Sequence, residues 1–245
     1  MSAMSTELVT TGQAAPRPVR TTRGVAWRSA LAGLILQLSI VAAFLLLGLI
    51  QAGLPGHMAR RLEEVGPYVA MASVLLCCAL GGALWAWLLA RSAGVGAGQR
   101  LAWSAGLTYA AAAVAAILLL NMAELYFVEG AGRWLAPVHV VFIVTFTLAA
   151  VGVTALVGLA LGLALRDRRL AVRLALYGGG AAGVMFFAAA VMQDLLGRRV
   201  GGPNAAATAT MITVMLLGNL VASMAASGVI GVTLHRWVER RAVSV

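Results

Sequence analysis

The chain reads as an all-α, polytopic integral membrane protein, with six transmembrane helices in one bundle and both termini in the cytoplasm. Three observations predict this. Of the 245 residues, 62% are hydrophobic and only 11% charged, too few to build the wettable exterior of a soluble domain. Six uncharged runs, at 29–52, 65–90, 101–123, 134–165, 174–193 and 200–235, each reach the roughly 20 helical residues that cross a hydrocarbon core. Thirteen of the eighteen arginines fall in alternate connecting segments and the two tails, the bias that orients membrane proteins.

Taken in order, residues 1–28 form a polar tail with Pro16, Pro18 and four arginines, expected to be a disordered cytoplasmic extension. The apolar run behind it is too long for a cleaved signal and should be retained. Spans follow at about 29–52, 67–90, 101–124, 137–165, 172–194 and 206–235, and residues 237–245 form a second cytoplasmic tail. Helices are preferred over barrel strands because the runs are continuous rather than alternating. Pro67, Pro137 and Pro203 suit first helical turns and are expected to open spans two, four and six at the outer rim. Tyr68, Tyr126 and Trp134 belong to that rim, and Trp27, Trp85, Trp87, Trp103 and Trp237 to the other, as headgroup anchors.

Charge fixes the orientation. The arginine-rich segments carry Arg17, Arg20, Arg23 and Arg28, then Arg91 and Arg100, then Arg166, Arg168, Arg169 and Arg173, and finally Arg236, Arg240 and Arg241. Their net charge is +10, whereas the other connections are neutral. No lysine occurs, which together with the alanine and glycine content suits a GC-rich bacterial genome. The bases are spread over helix ends rather than gathered, so nucleic acid is not an expected partner. The lipid bilayer is, together with partner membrane subunits or further copies of the chain. The span count and the paired cytoplasmic termini resemble those of permeases of bacterial export systems, and the bacterial cytoplasmic membrane is the expected location.

A weak internal repeat runs through the sequence. Gln51, Glu124 and Asp194 close outward-running spans at steps of 73 and 70 residues, and the three prolines recur at 70 and 66. Three tandem helical hairpins would give this spacing, but so would any six-span chain with short loops. The adjacent Cys77 and Cys78 point about 100° apart on a helix and read as small buried apolar residues.

Few polar groups lie at membrane depth, where they are costly and often functional. Asp194 with Arg198, Glu129 with Arg133, and Glu64 with Arg60 and Arg61 have the three- or four-residue spacing of local ion pairs. Glu124 has no such partner. It ends an uncharged run, with Asn121 three residues before it on the same face, and so must reach water, another helix or a proton. In span six, Asn219, Ser223 and Ser227 recur every four residues, with Thr208 near the same line. Asn121, Glu124, Asn219, Ser223 and Ser227 are therefore the candidate polar pathway. The competing reading makes the span-six stripe interhelical hydrogen-bond glue, worth about 0.6–2 kcal/mol per bond. Thr147, Thr154, Gly158 and Gly162 in span four, Gly81 and Gly82 in span two and Gly178 to Gly180 in span five read as close-packing positions, the last also as a bend.

His57, His139 and His235 lack the matched depth of a haem pair and the clustering of a zinc site. Glu124, Glu129, His57 and His139 share only a leaflet. No metal, cofactor or catalytic residue is assigned. The glycine-rich turn from Gly94 to Gly98 lacks the strand that a nucleotide loop requires. Missing nucleophile–base sets and paired acids argue against an enzyme. Two readings remain: a small permease or permease subunit for a small solute or ion, and a non-catalytic accessory subunit of a larger membrane complex.

Overall fold

The computed structural model describes residues 21–53, 56–126, 138–200 and 205–243. They form six helices: α1 (Thr22–Gly53), α2 (Gly56–Ala93), α3 (Gly98–Glu124), α4 (Val138–Ala164), α5 (Arg168–Val200) and α6 (Ala205–Val243). No strand occurs among the described residues. Each helix contains a stretch long and apolar enough to cross a membrane. The side chains are sorted as a lipid solvent demands. Leu38, Leu80, Leu107, Leu148, Leu176 and Leu217 are each more than half exposed, whereas Ala86, Ala90, Ala105, Ala222 and Ser29 are fully buried. Lipid tails are as apolar as leucine, so large side chains gain nothing by turning inward, and small ones let backbones meet.

Every helix packs against its neighbours in the chain, and α6 returns to α1, closing a ring. Glycines set the tightest seams. A Cβ at Gly162 would overlap the backbone of Ala171, and one at Gly158 would lie 2.7 Å from the carbonyl carbon of Leu174. On the opposite side, a Cβ at Gly106 would lie 2.6 Å from the Ala79 carbonyl oxygen. The span-four glycines are thus close-packing positions, as their spacing suggests. The glycine triplet does not break α5, which runs as one helix through it. Gly178 faces Ile230 and Gly179 faces Ala155, whereas Gly180 has open space.

The helices extend past the expected spans. Residues 22–28 and 237–243, expected in tails, are helical. At the start of α1 the Thr21 hydroxyl accepts the Gly24 N–H at 3.2 Å, capping a free first-turn donor. Helix α2 begins at Gly56 and passes through Pro67, so Pro67 does not open a helix. Proline removes one donor and crowds the carbonyl four residues back. Pro137 and Pro203 lie outside the described residues. The shared proline start of the three hairpins therefore fails at the first.

Two tight turns shape the arginine-rich end. After α2, Gly94 adopts φ 81°, and the Val95 N–H reaches back to the Ala90 carbonyl at 2.8 Å. After α4, Arg166 takes the left-handed conformation at φ 57°. The Arg166 N–H bonds the Leu163 carbonyl at 2.9 Å, and the Asp167 N–H bonds that of Gly162 at 3.1 Å. This is the paired hydrogen bonding of a helix stop built on a left-handed residue.

Asp167 then starts α5. Its Oδ1 accepts the Leu170 N–H at 2.9 Å. Its Oδ2 accepts the Trp237 indole N–H at 2.8 Å and an Arg241 guanidinium N–H at 3.4 Å. Arg241 in turn lies over the Trp237 ring, 4.2 Å from its centroid. Trp237 is thus half-buried and tied to this turn rather than a simple headgroup anchor. The Leu170 N–H, the Trp237 N–H and the Arg241 charge, in that order, hold the Asp167 carboxyl below the usual carboxylate range. A depressed folded pKa adds stability above the unfolded value of about 4, which is lost as pH falls through the lower folded value. Asp167→Asn is expected to abolish this acid-dependent part of the thermal stability. Melting curves of both proteins over the acid range, which should converge at the lowest pH, check it.

Candidate functional site

A cavity of about 320 Å³ lies inside the ring and is lined by residues of all six helices. That volume is at the low end of small-molecule sites, about 300–1,000 Å³. Its walls are mostly aliphatic and aromatic. Ile40 of α1, Val74 of α2 and Ile117 of α3 form one side. Phe146 of α4 and Phe186 of α5 form the other, with centroids 5.9 Å apart and rings tilted by 58°. None of the residues lining it is charged.

The polar groups are few and specific. Gln37 of α1 and Asn219 of α6 both line the cavity and are each 8% exposed. Neither amide has a hydrogen-bond partner among the described residues. An amide taken out of water without a partner costs about 1–3 kcal/mol in proteins. Two such groups at one cavity are therefore open valences for a solute or for water. Ser223, one turn from Asn219, and Cys78 also line it. Tyr109 and Thr154 do too, but are engaged. The Tyr109 hydroxyl donates to the Leu36 carbonyl at 3.1 Å, and the Thr154 hydroxyl to that of Ala150 at 2.9 Å.

Toward the arginine-rich end the ring closes. Helix α2 also reaches α6, and here Trp85, Leu89, Leu101, Leu161, Leu174, Ile230 and Leu234 are almost wholly buried. The Trp85 indole N–H donates to the Ser227 hydroxyl at 2.9 Å. The Ser29 and Ser92 hydroxyls lie 2.9 Å apart. Ser92 donates to the Leu89 carbonyl, so its oxygen is left to accept from Ser29. His235 is buried, with Nδ1 3.4 Å from the Ala93 carbonyl and Nε2 3.2 Å from a Glu239 carboxylate oxygen. These groups form a plug a little over two helical turns thick, from Trp85 and Ser227 to Ala93 and His235.

The candidate pathway residues thus divide. Asn219 and Ser223 line the cavity. Ser227, one turn on, belongs to the plug. Asn121 is exposed near the end of α3 and does not line the cavity. Glu124 is the last residue of α3, and its side chain lies outside the described part of the structure, as does that of Thr208. Of the rim ion pairs, Glu129 and Arg133 lie outside the described residues. The side chains of Arg60, Arg61, Glu64 and Arg198 do as well. Asp194 is half-buried and engaged.

Trp85 is a correction. It is 1% exposed and bonded across the ring, not a headgroup anchor. An indole is amphipathic, and Ser227 satisfies its N–H deep inside as headgroup water would at the rim. Trp27 and Trp103 are exposed, as anchors should be. Sequence reasoning also missed Gln37. Its signal was available: with Gln51, it is one of two amides in the first uncharged run.

Among the described residues no cluster of three metal-ligating side chains occurs. His57 and His139 contribute no described side chain. Cys77 and Cys78 are both free thiols, Cys78 buried. Comparison of the chain with protein-family models, with curated proteins and with solved structures gives no match.

Proposed function

We propose that this protein is a small permease of the bacterial cytoplasmic membrane, its arginine-rich end facing the cytoplasm, and that it carries a small uncharged solute. One observation carries the reading: an uncharged cavity framed by all six helices, with two unpartnered amides on its wall. Interhelical glue would consume those amides in protein–protein bonds. A structural subunit has no need to keep a space that forfeits packing contacts.

The lining also selects among cargoes. An ion entering a site without charged groups would exchange a full hydration shell for two amides and a few hydroxyls, with no countercharge, a cost of several kcal/mol. A neutral molecule with an apolar body and an amide, hydroxyl or carbonyl group meets aliphatic walls and finds Gln37 and Asn219 to bond. The plug then serves as the closed gate toward the cytoplasm. Release on that side requires α2 and α6 to part and the Trp85–Ser227 hydrogen bond to break.

The test is flux into proteoliposomes of uncharged amides and alcohols, each paired with a carboxylate or ammonium analogue of equal size. Uptake of a neutral member that exceeds its charged analogue and protein-free vesicles supports the reading. Equal, background flux for every pair, together with a stoichiometric partner retained on purification, would favour the accessory-subunit role. Trp85→Phe keeps the ring and removes the donor. One buried hydrogen bond is worth about 1 kcal/mol, so the closed state should weaken and neutral-solute flux should rise about fivefold. Unchanged or lower flux would show that this bond is no part of the gate.

A further inference from the structure

A second site lies on the outside of the ring, at the arginine-rich end, in a groove of about 510 Å³ between α1 and α2. We infer that it binds one anionic phospholipid, with the phosphate between Arg28 and Arg91 and an acyl chain along Leu31, Ile35 and Leu88. The inference is independent of the cavity and of any transported solute.

The groove is built as an amphiphile is. Arg28 of α1 and Arg91 of α2 stand at one end, both exposed. The remaining wall is aliphatic except for Ser92, whose hydroxyl is turned to the Leu89 carbonyl and to Ser29. No acidic residue lines it. From Arg28 the wall descends α1 through Leu31 to Ile35 on one helical face, seven residues or about 10 Å toward the membrane centre. Leu88, one turn from Arg91 on the neighbouring helix, forms the facing side. Two arginines lining one aliphatic trench is charge complementarity for a phosphate that carries a hydrocarbon tail.

Two features hold the arrangement in place. The Ser29–Ser92 hydrogen bond joins α1 to α2 beneath the arginines. The face of Trp87 supports the Arg91 guanidinium, 5.5 Å from the ring centroid, a geometry that orients the cation at headgroup height. Of the other described arginines of this end, Arg23 is on α1 and Arg100 on α3, and the rest lie at the α4–α5 turn and on α5 and α6; none of them lines the groove.

Native mass spectrometry of the detergent-purified chain tests this. Phosphatidylglycerol and phosphatidylcholine of identical acyl chains are titrated separately. The first phosphatidylglycerol should bind at least about tenfold tighter than the first phosphatidylcholine. Arg28→Gln/Arg91→Gln should erase that preference, whereas Arg168→Gln/Arg173→Gln, equal in charge lost, should retain it. Leu31→Gln should weaken the lipid without abolishing the preference. Glycerophosphoglycerol, the same headgroup without acyl chains, should not compete. All four arginine positions tested are exposed, so folding should survive, and an unchanged melting temperature checks this. No preference in the native chain, equal loss in the two double variants, or competition by the chainless headgroup would each overturn the assignment.

Discussion

Gly162→Leu is expected to prevent α4 from closing on α5. The backbone of Ala171 already occupies the space into which any Cβ at 162 would project. Backbone cannot rotate away as a flexible side chain can, so the two helices must separate along the seam. Overpacking in a well-filled core costs about 1–3 kcal/mol, occasionally more, and the loss of neighbouring contacts at Gly158 should push this change to the upper end. The control is Gly180→Leu on α5, where a Cβ meets nothing within 4 Å. It should shift stability by less than about 0.5 kcal/mol. Thermal unfolding in one detergent compares the two. Equal melting temperatures would mean that glycine packing does not set this interface.

Asn219→Leu is expected to make the protein more stable and less able to take up its solute. Leucine has as many side-chain heavy atoms as asparagine, fills part of the cavity with its larger methyl groups, and removes a buried amide with no described partner. The expected gain is about 1 kcal/mol. Solute affinity should fall at least about tenfold, the worth of one good hydrogen bond in a dry site. The opposite sign identifies the other role. If Asn219 binds a neighbouring helix, the leucine variant melts lower. A thermal-shift series with neutral amides, run on both proteins, reads the two quantities together. Cys78 supplies an independent report: in a Cys77→Ser background, a bound solute should slow its reaction with a small thiol reagent.

The number of helices and their approximate spans were legible because each run is long, apolar and uncharged, and lipid leaves no other way to pair the backbone. Helix ends were less legible. Once the chain leaves the hydrocarbon, water tolerates either helix or coil, and local groups such as Thr21 or Asp167 decide. Pro67 misled for a related reason: proline favours a first turn but does not forbid a longer helix around it. Half of the cavity's amide pair was found, because Asn219 sits in a recurring stripe. Gln37 was not, because one polar residue in a run carries no period. Trp85 was misplaced because sequence gives an indole's distance along the helix and not the direction it faces. The cavity itself arises from ring closure, a property of six helices together that no single segment encodes.

That closure has a consequence for assembly. The flank of α1 that carries Gly33 and Ser29 is covered by α6, which is made after the other five helices. Until α6 emerges, the first helix must wait in the bilayer with its small-residue seam bare and its neighbours arranged as an open crescent. Chains that stop short of α6 should therefore be bound by membrane chaperones and destroyed by quality-control proteases, however well their first five segments insert.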